Sequence, residues 1–195
     1  DEAFRLRFIQ AGIMKTPELS VFEAQQEIGS FGERIHRMFG MVRELLETQD
    51  SKTFDKLYER IEKYEGISDN MEIEIAKYLN QVSDAHLSDD TKAKIRAMLR
   101  AISEIESIGD SCFNLARTIK RKGENKEEFT AKQNENIHQM FKLVDEAQTQ
   151  MNFMFAHERQ SINMNQTYNI ETEINNFRSQ LRNQNLDDVD NHLYT

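Results

Sequence analysis

The chain of 195 residues carries 25 Lys and Arg against 34 Asp and Glu, a net charge of −9, and 38% of it is hydrophobic. That is enough apolar material for one domain or two small repeats, and too much for an intrinsically disordered chain. The acidic balance excludes a protein that tracks nucleic-acid phosphates and one that adsorbs unaided to anionic lipid, since both need a basic surface. One Pro and seven Gly leave little material for the reversals of a strand-rich sandwich or barrel, so the expected class is all-α. The single cysteine, Cys112, rules out an internal disulfide framework and reads as a small buried hydrophobe in a reducing compartment. No stretch approaches the roughly 20 apolar residues of a membrane span, and no signal-type apolar segment opens the chain. With Asp1 first and no Met, it reads as a soluble piece of a longer protein.

Residues 1–19 mix apolar and charged positions without a period, include Pro17, and are expected to form a lead-in. Ser20 and Glu23 have the spacing of a capping box, which predicts a helix from about Ser20 to Thr48. After a break at TQDSKT, Asp50 or Ser51 caps a second helix, in which Leu57, Ile61, Tyr64, Met71, Ile75 and Leu79 recur at helical spacing to about Val82. A third helix is capped at Ser88 or Asp89, runs through Ile95, Met98, Leu99, Ile102, Ile105, Phe113, Ala116 and Ile119, and is expected to stop near Gly123. A fourth is predicted over 126–157 and a fifth over 160–184.

Two segments are copies of one another. ERIHRMFGMVRE (33–44) and ENIHQMFKLVDE (135–146) share Glu, Ile, His, Met, Phe, Val and Glu at an offset of 102 residues. An internal repeat of that length predicts two three-helix units about a pseudo-two-fold axis, 20–123 complete and 124–195 lacking its last helix.

Glu65 with Asp69, and Glu106 with Asp110, are acidic pairs at i and i+4. On a helix such pairs stack along one edge, and here both edges flank an apolar stripe. Carboxylates at the margins of two adjacent helices converge into an oxygen cluster that needs a cation or protons, and oxygen ligands suit iron, manganese, magnesium or calcium. With 34 acids in 195 residues, the same spacing also arises on solvated faces.

The stretch SEIESIGDSCFNLARTI is similar to the hallmark of the PhoU family, acid-x-x-Gly-Asp followed by Asn-apolar-Ala, here Glu106, Gly109, Asp110, Asn114, Leu115 and Ala116. YEGISDNMEIEIAKYL resembles the matching acidic segment of the preceding helix. The resemblance implies a PhoU-like antiparallel bundle of two three-helix repeats. It also implies a regulatory role without catalysis, and metal positions at Glu65, Asp69, Glu106 and Asp110 for divalent or iron-type ions. Ser107 stands where the family has Arg, and in the second repeat only Glu171 and Asn175 remain of the acid pair. FRLRFIQAGIMKTPELSVFEAQQEI and EINNFRSQLRNQNL look like the soluble C-terminal region of bacterial sodium/phosphate cotransporter-type proteins. That implies an accessory domain on the cytoplasmic side of the inner membrane. Its partner would be the membrane portion of the same protein or another phosphate-transport component, with a homodimer also open. The alternative is a freestanding PhoU-type regulator of phosphate signalling.

Three other features have competing readings. Glu33 with His36, and Glu135 with His138, have the Glu-x-x-His spacing of ferritin-like di-iron bundles. Because one duplication supplies both copies, the expected reading is a pair of helix-packing histidines. The Met- and Phe-rich stretch from Met140 is expected to be core. Arg117, Lys120, Arg121 and Lys122 end the third helix, where cations favour the dipole; the alternative is contact with anionic lipid or a transporter loop.

Overall fold

The computed structural model describes residues 6–9 and 16–157, and all its regular structure is helical: α1 Pro17–Glu47, α2 Ser51–Ser83, α3 Asp89–Glu124 and α4 Ala131–His157. The fifth expected helix, and Glu171 and Asn175 with it, lie outside the described residues.

α1 starts three residues earlier than its expected cap. Thr16, in extended backbone, accepts the Leu19 N–H at 3.3 Å through Oγ1, and Pro17 occupies the first turn. Proline's fixed φ suits that turn, and it has no N–H to leave unsatisfied there. Ser20 is consequently inside the helix, buried at 6% exposure, with its own N–H on the Thr16 carbonyl.

The next two caps are those read from the sequence. Asp50 accepts the Thr53 N–H at 2.9 Å and the Thr53 hydroxyl at 2.6 Å. Ser88 accepts the Thr91 N–H at 3.2 Å. Replacing Ser88 with Ala removes this partner from an exposed helix end, and thermal melts should show a loss of about 1 kcal/mol.

α3 ends at Glu124, beside the expected stop at Gly123, but the glycine does not make the reversal. Gly123 stays helical, and the left-handed residue is Lys126, with φ of 57°. A bond from the Glu127 N–H to the Lys122 carbonyl, 2.8 Å, closes the corner. α4 then begins five residues later than expected, at a reciprocal box. The Thr130 N–H reaches Gln133 Oε1 at 2.8 Å, and the Gln133 N–H reaches Thr130 Oγ1 at 3.1 Å. Both satisfy helix-start donors that would otherwise be orphaned.

α1 is the central element and packs against α2, α3 and α4. Its buried positions therefore spread beyond one stripe, from Val21, Ala24 and Ile28 through Phe31, Ile35, Met38 and Phe39 to Val42 and Leu45. α2 and α3 complete a three-helix core with Ile61, Met71, Ile75, Leu79, Ile95, Met98, Ile102 and Leu115.

The helices that carry the repeated segments lie together. Phe39 and Phe141, which hold the same place in the two copies, meet edge to face with centroids 6.4 Å apart. Arg43 and Asp145, also offset by 102 residues, form an ion pair at 2.8 Å. Met140, Phe141 and Val144 are core, as their spacing predicted; side chains from 151 on lie outside the described ones.

Candidate metal centre

Antiparallel packing of α2 on α3 sets the middle of one helix beside the middle of the other, and there the two acidic pairs meet. One oxygen from each of Glu65, Asp69, Glu106 and Asp110 can be chosen so that all four lie within 4.8 Å of one another. The pairs differ in depth along the same edge. Asp69 and Asp110 are exposed, Glu65 is intermediate, and Glu106 is buried at 6% exposure. The cluster is thus a shallow cup whose rim is aspartate and whose floor is glutamate.

The floor lacks donors. Both oxygens of Glu106 and Oε2 of Glu65 are shut from solvent with no hydrogen-bond partner. The bonds open to them are those a retained proton makes from one carboxyl to the next, Glu106 to Asp69 and Glu65 to Asp110. Burial, and then the neighbouring carboxylates, push Glu106 up to about 10 and Glu65 up to about 8. A buried carboxylate without a donor costs several kcal/mol unless it is protonated or meets a cation. The cup therefore fits a hard or borderline cation with oxygen ligands.

A fifth acid, Glu72, borders the cup. Burial first, and then the charges of Asp110 and Asp69, also raise the Glu72 carboxyl, so it belongs to the same negative field. The signal was its position three residues beyond Asp69, on the flank already occupied by the pair.

Gly109 decides how closely α3 approaches α1 beside the cup. A Cβ built there would lie 2.8 Å from Ile35 Cδ1 and 3.6 Å from Met38 Cε. The missing side chain lets Ile35 and Met38 seat directly against the turn that carries Glu106 and Asp110. Cys112, fully buried below, remains a thiol: burial, and then the Glu65 charge, raise it well above its usual value.

Residues 28–119 match the PhoU domain. No curated protein and no solved structure matches the chain. The matched segment begins within α1 and ends within α3, so it holds all four acids and the helices that position them. Over the matched segment the structure is an all-α bundle, the class that the resemblance implied.

The Glu-x-x-His motifs form no comparable group. Among the described residues, the four carboxylates are the one set of His, Cys, Asp and Glu with metal-ligand spacing. His36 bridges two helices, as expected of a helix-packing histidine, whereas His138 stays on its own helix. His36 donates from Nε2 to Asp145 Oδ1 at 2.8 Å, its side chain 38% exposed. His138 is exposed and donates from Nδ1 to its own helix at the Asn134 carbonyl, 2.7 Å. Partial burial works to raise Asp145, but the hydrogen bonds from Arg43 and His36 outweigh it and hold the carboxyl below the usual range. Asp145 thus acts as a polar clamp between α1 and α4.

The basic run at the end of α3 also divides. Arg117 is exposed, whereas Lys120 lies over the Tyr58 ring at 4.5 Å. Lys122 is buried at 2% exposure, with Nζ 3.9 Å from Glu127 Oε2 and 5.0 Å from the Phe129 ring centroid. It braces the α3–α4 corner and is no part of a cationic face.

Proposed function

We propose that this chain is a regulatory, metal-binding PhoU-type domain that serves phosphate uptake as an accessory part of a sodium-dependent phosphate cotransporter, acting by binding and not by turnover. The observation that carries the metal half is Glu106, a buried carboxylate whose two oxygens lack any donor and face three further carboxylates. The phosphate half rests on the PhoU match over 28–119. The transporter context rests on the likeness of the segments before α1 and near the C-terminus to the soluble regions of such proteins.

On this reading Glu65, Asp69, Glu106 and Asp110 would hold the ion, which would supply the positive charge that the floor of the cup lacks. The aspartates on the rim face solvent and would be the first oxygens open to a cation, and the glutamates on the floor would exchange their protons for its charge. The chain's own contribution is mechanical, because two ligands come from α2 and two from α3, so occupancy ties the middles of these helices together. A tied bundle presents one fixed surface to the membrane portion or another phosphate-transport partner; an untied one does not.

The test is metal content by plasma mass spectrometry, after purification without chelator or immobilised-metal resin. A near-stoichiometric transition or divalent metal in the parent chain, lost in the Glu106→Ala, Asp110→Ala double variant, is the expected result. Equal metal content in the two proteins would remove the acidic cup from the function. Reading the coding sequence upstream separates the transporter-linked form, which requires membrane helices there, from a freestanding regulator.

A further inference from the structure

Neither the metal cup nor the repeat uses Glu27. It lies on α1 with 0% exposure, in a helix whose nearby buried positions include Ala24, Ile28 and Phe31. An apolar residue would pack more cheaply among them, so an acid here needs donors. They come from the chain before the helix. The Arg7 backbone nitrogen lies 3.1 Å from each Glu27 carboxylate oxygen, and the Phe8 nitrogen lies 2.7 Å from Oε2. Two successive amides converging on one anion form a backbone nest, and bonds to an ionised acceptor are about twice as strong as neutral ones. Apolar contacts flank the nest on both sides. Leu6 packs on the core and Ile9 is buried at 7% exposure, whereas Arg7 and Phe8 are exposed.

We propose that Glu27 is a latch that welds residues 6–9 to α1, so that this segment is an arm that moves with the helix. The consequence for transport rests on the reading above: the arm would be the route by which the state of the bundle reaches a membrane portion. The weld itself does not depend on that reading.

Amide hydrogen exchange on the full chain tests it. In Glu27→Ala the Arg7 and Phe8 amides should lose roughly ten- to a hundredfold in protection, the equivalent of one strong charge-assisted contact, while the amides of α2 and α3 keep theirs. Tryptic cleavage after Arg7 should accelerate in parallel. Unchanged protection at Arg7 and Phe8 would overturn the proposal. Should the variant loosen α2 and α3 as well, Phe8→Pro decides, because it deletes the donor at 2.7 Å from a residue with an exposed side chain. Loss of Arg7 protection there supports the latch, and retained protection refutes it. Metal content is unaffected by these outcomes, so the latch and the metal cup fail separately.

Discussion

In the presence of chelator the protein should lose stability as the pH rises from about 5 to 9, a window in which many proteins change little. In the unfolded chain Glu65 and Glu106 titrate at the ordinary 4.5, and in the fold at about 8 and about 10. Between these limits the folded state holds more protons than the unfolded one, so the slope of stability with pH is negative. The contribution is whole below 4.5 and drains away as the pH climbs through the folded values. Each proton so retained removes up to about 1.4 kcal/mol per pH unit. Against a total of roughly 5–15 kcal/mol, that is a large effect. Thermal melts in chelator across this range should show a falling Tm. Glu106→Gln, which keeps the shape and cannot ionise, should flatten the slope. Saturating divalent metal should reverse it, since a cation replaces the protons and binds more tightly as they leave. A chelated protein whose Tm is level or rising between pH 5 and 8 would mean that the carboxylates are already ionised and solvated, and the cup would lose its reason to take a cation.

The second large effect concerns Gly109. Gly109→Ala should be close to neutral. The added Cβ meets the end of the Ile35 side chain, which can turn aside, and the loss of backbone freedom in the unfolded helix offsets that adjustment. Gly109→Val puts two methyl groups where Ile35 and Met38 already sit. With no space to yield between α1 and α3, overpacking should cost about 2–3 kcal/mol. It should also weaken metal binding, because the turn that moves carries both Glu106 and Asp110. Chemical denaturation and metal titration of the two variants check this, and equal behaviour of Ala and Val would show that the α1–α3 approach is not set at this residue.

The caps at Asp50 and Ser88 were legible because each is a local signal, a side-chain oxygen three residues before the amide that it accepts. The start of α1 was misread for an equally local reason. Two capping patterns overlapped, Thr16–Pro17 and Ser20–Glu23, and Pro17 decided for the earlier one by fitting the first turn. The stop of α3 near Gly123 is met within one residue, at Glu124, but the left-handed residue of the turn is Lys126 and not the glycine, with the Glu127 bond to the Lys122 carbonyl closing the corner. The helix-packing reading of the repeat histidines fits His36, which reaches Asp145 across to α4, whereas His138 turns back onto its own helix at the Asn134 carbonyl, a difference that their shared spacing does not carry.

By itself the sequence determined the helical class, the α2 and α3 boundaries, the 102-residue repeat and the identity of the four carboxylates, because composition, periodicity and i, i+4 spacing act along one chain. Only the tertiary structure decided that the two acidic pairs share one cup, that Glu106 is its donorless floor, and that Glu27 accepts the Arg7 and Phe8 amides. These depend on how two elements cross and how deeply each side chain lies, and neither the angle of a crossing nor the depth of a burial is written in the spacing of residues on one helix.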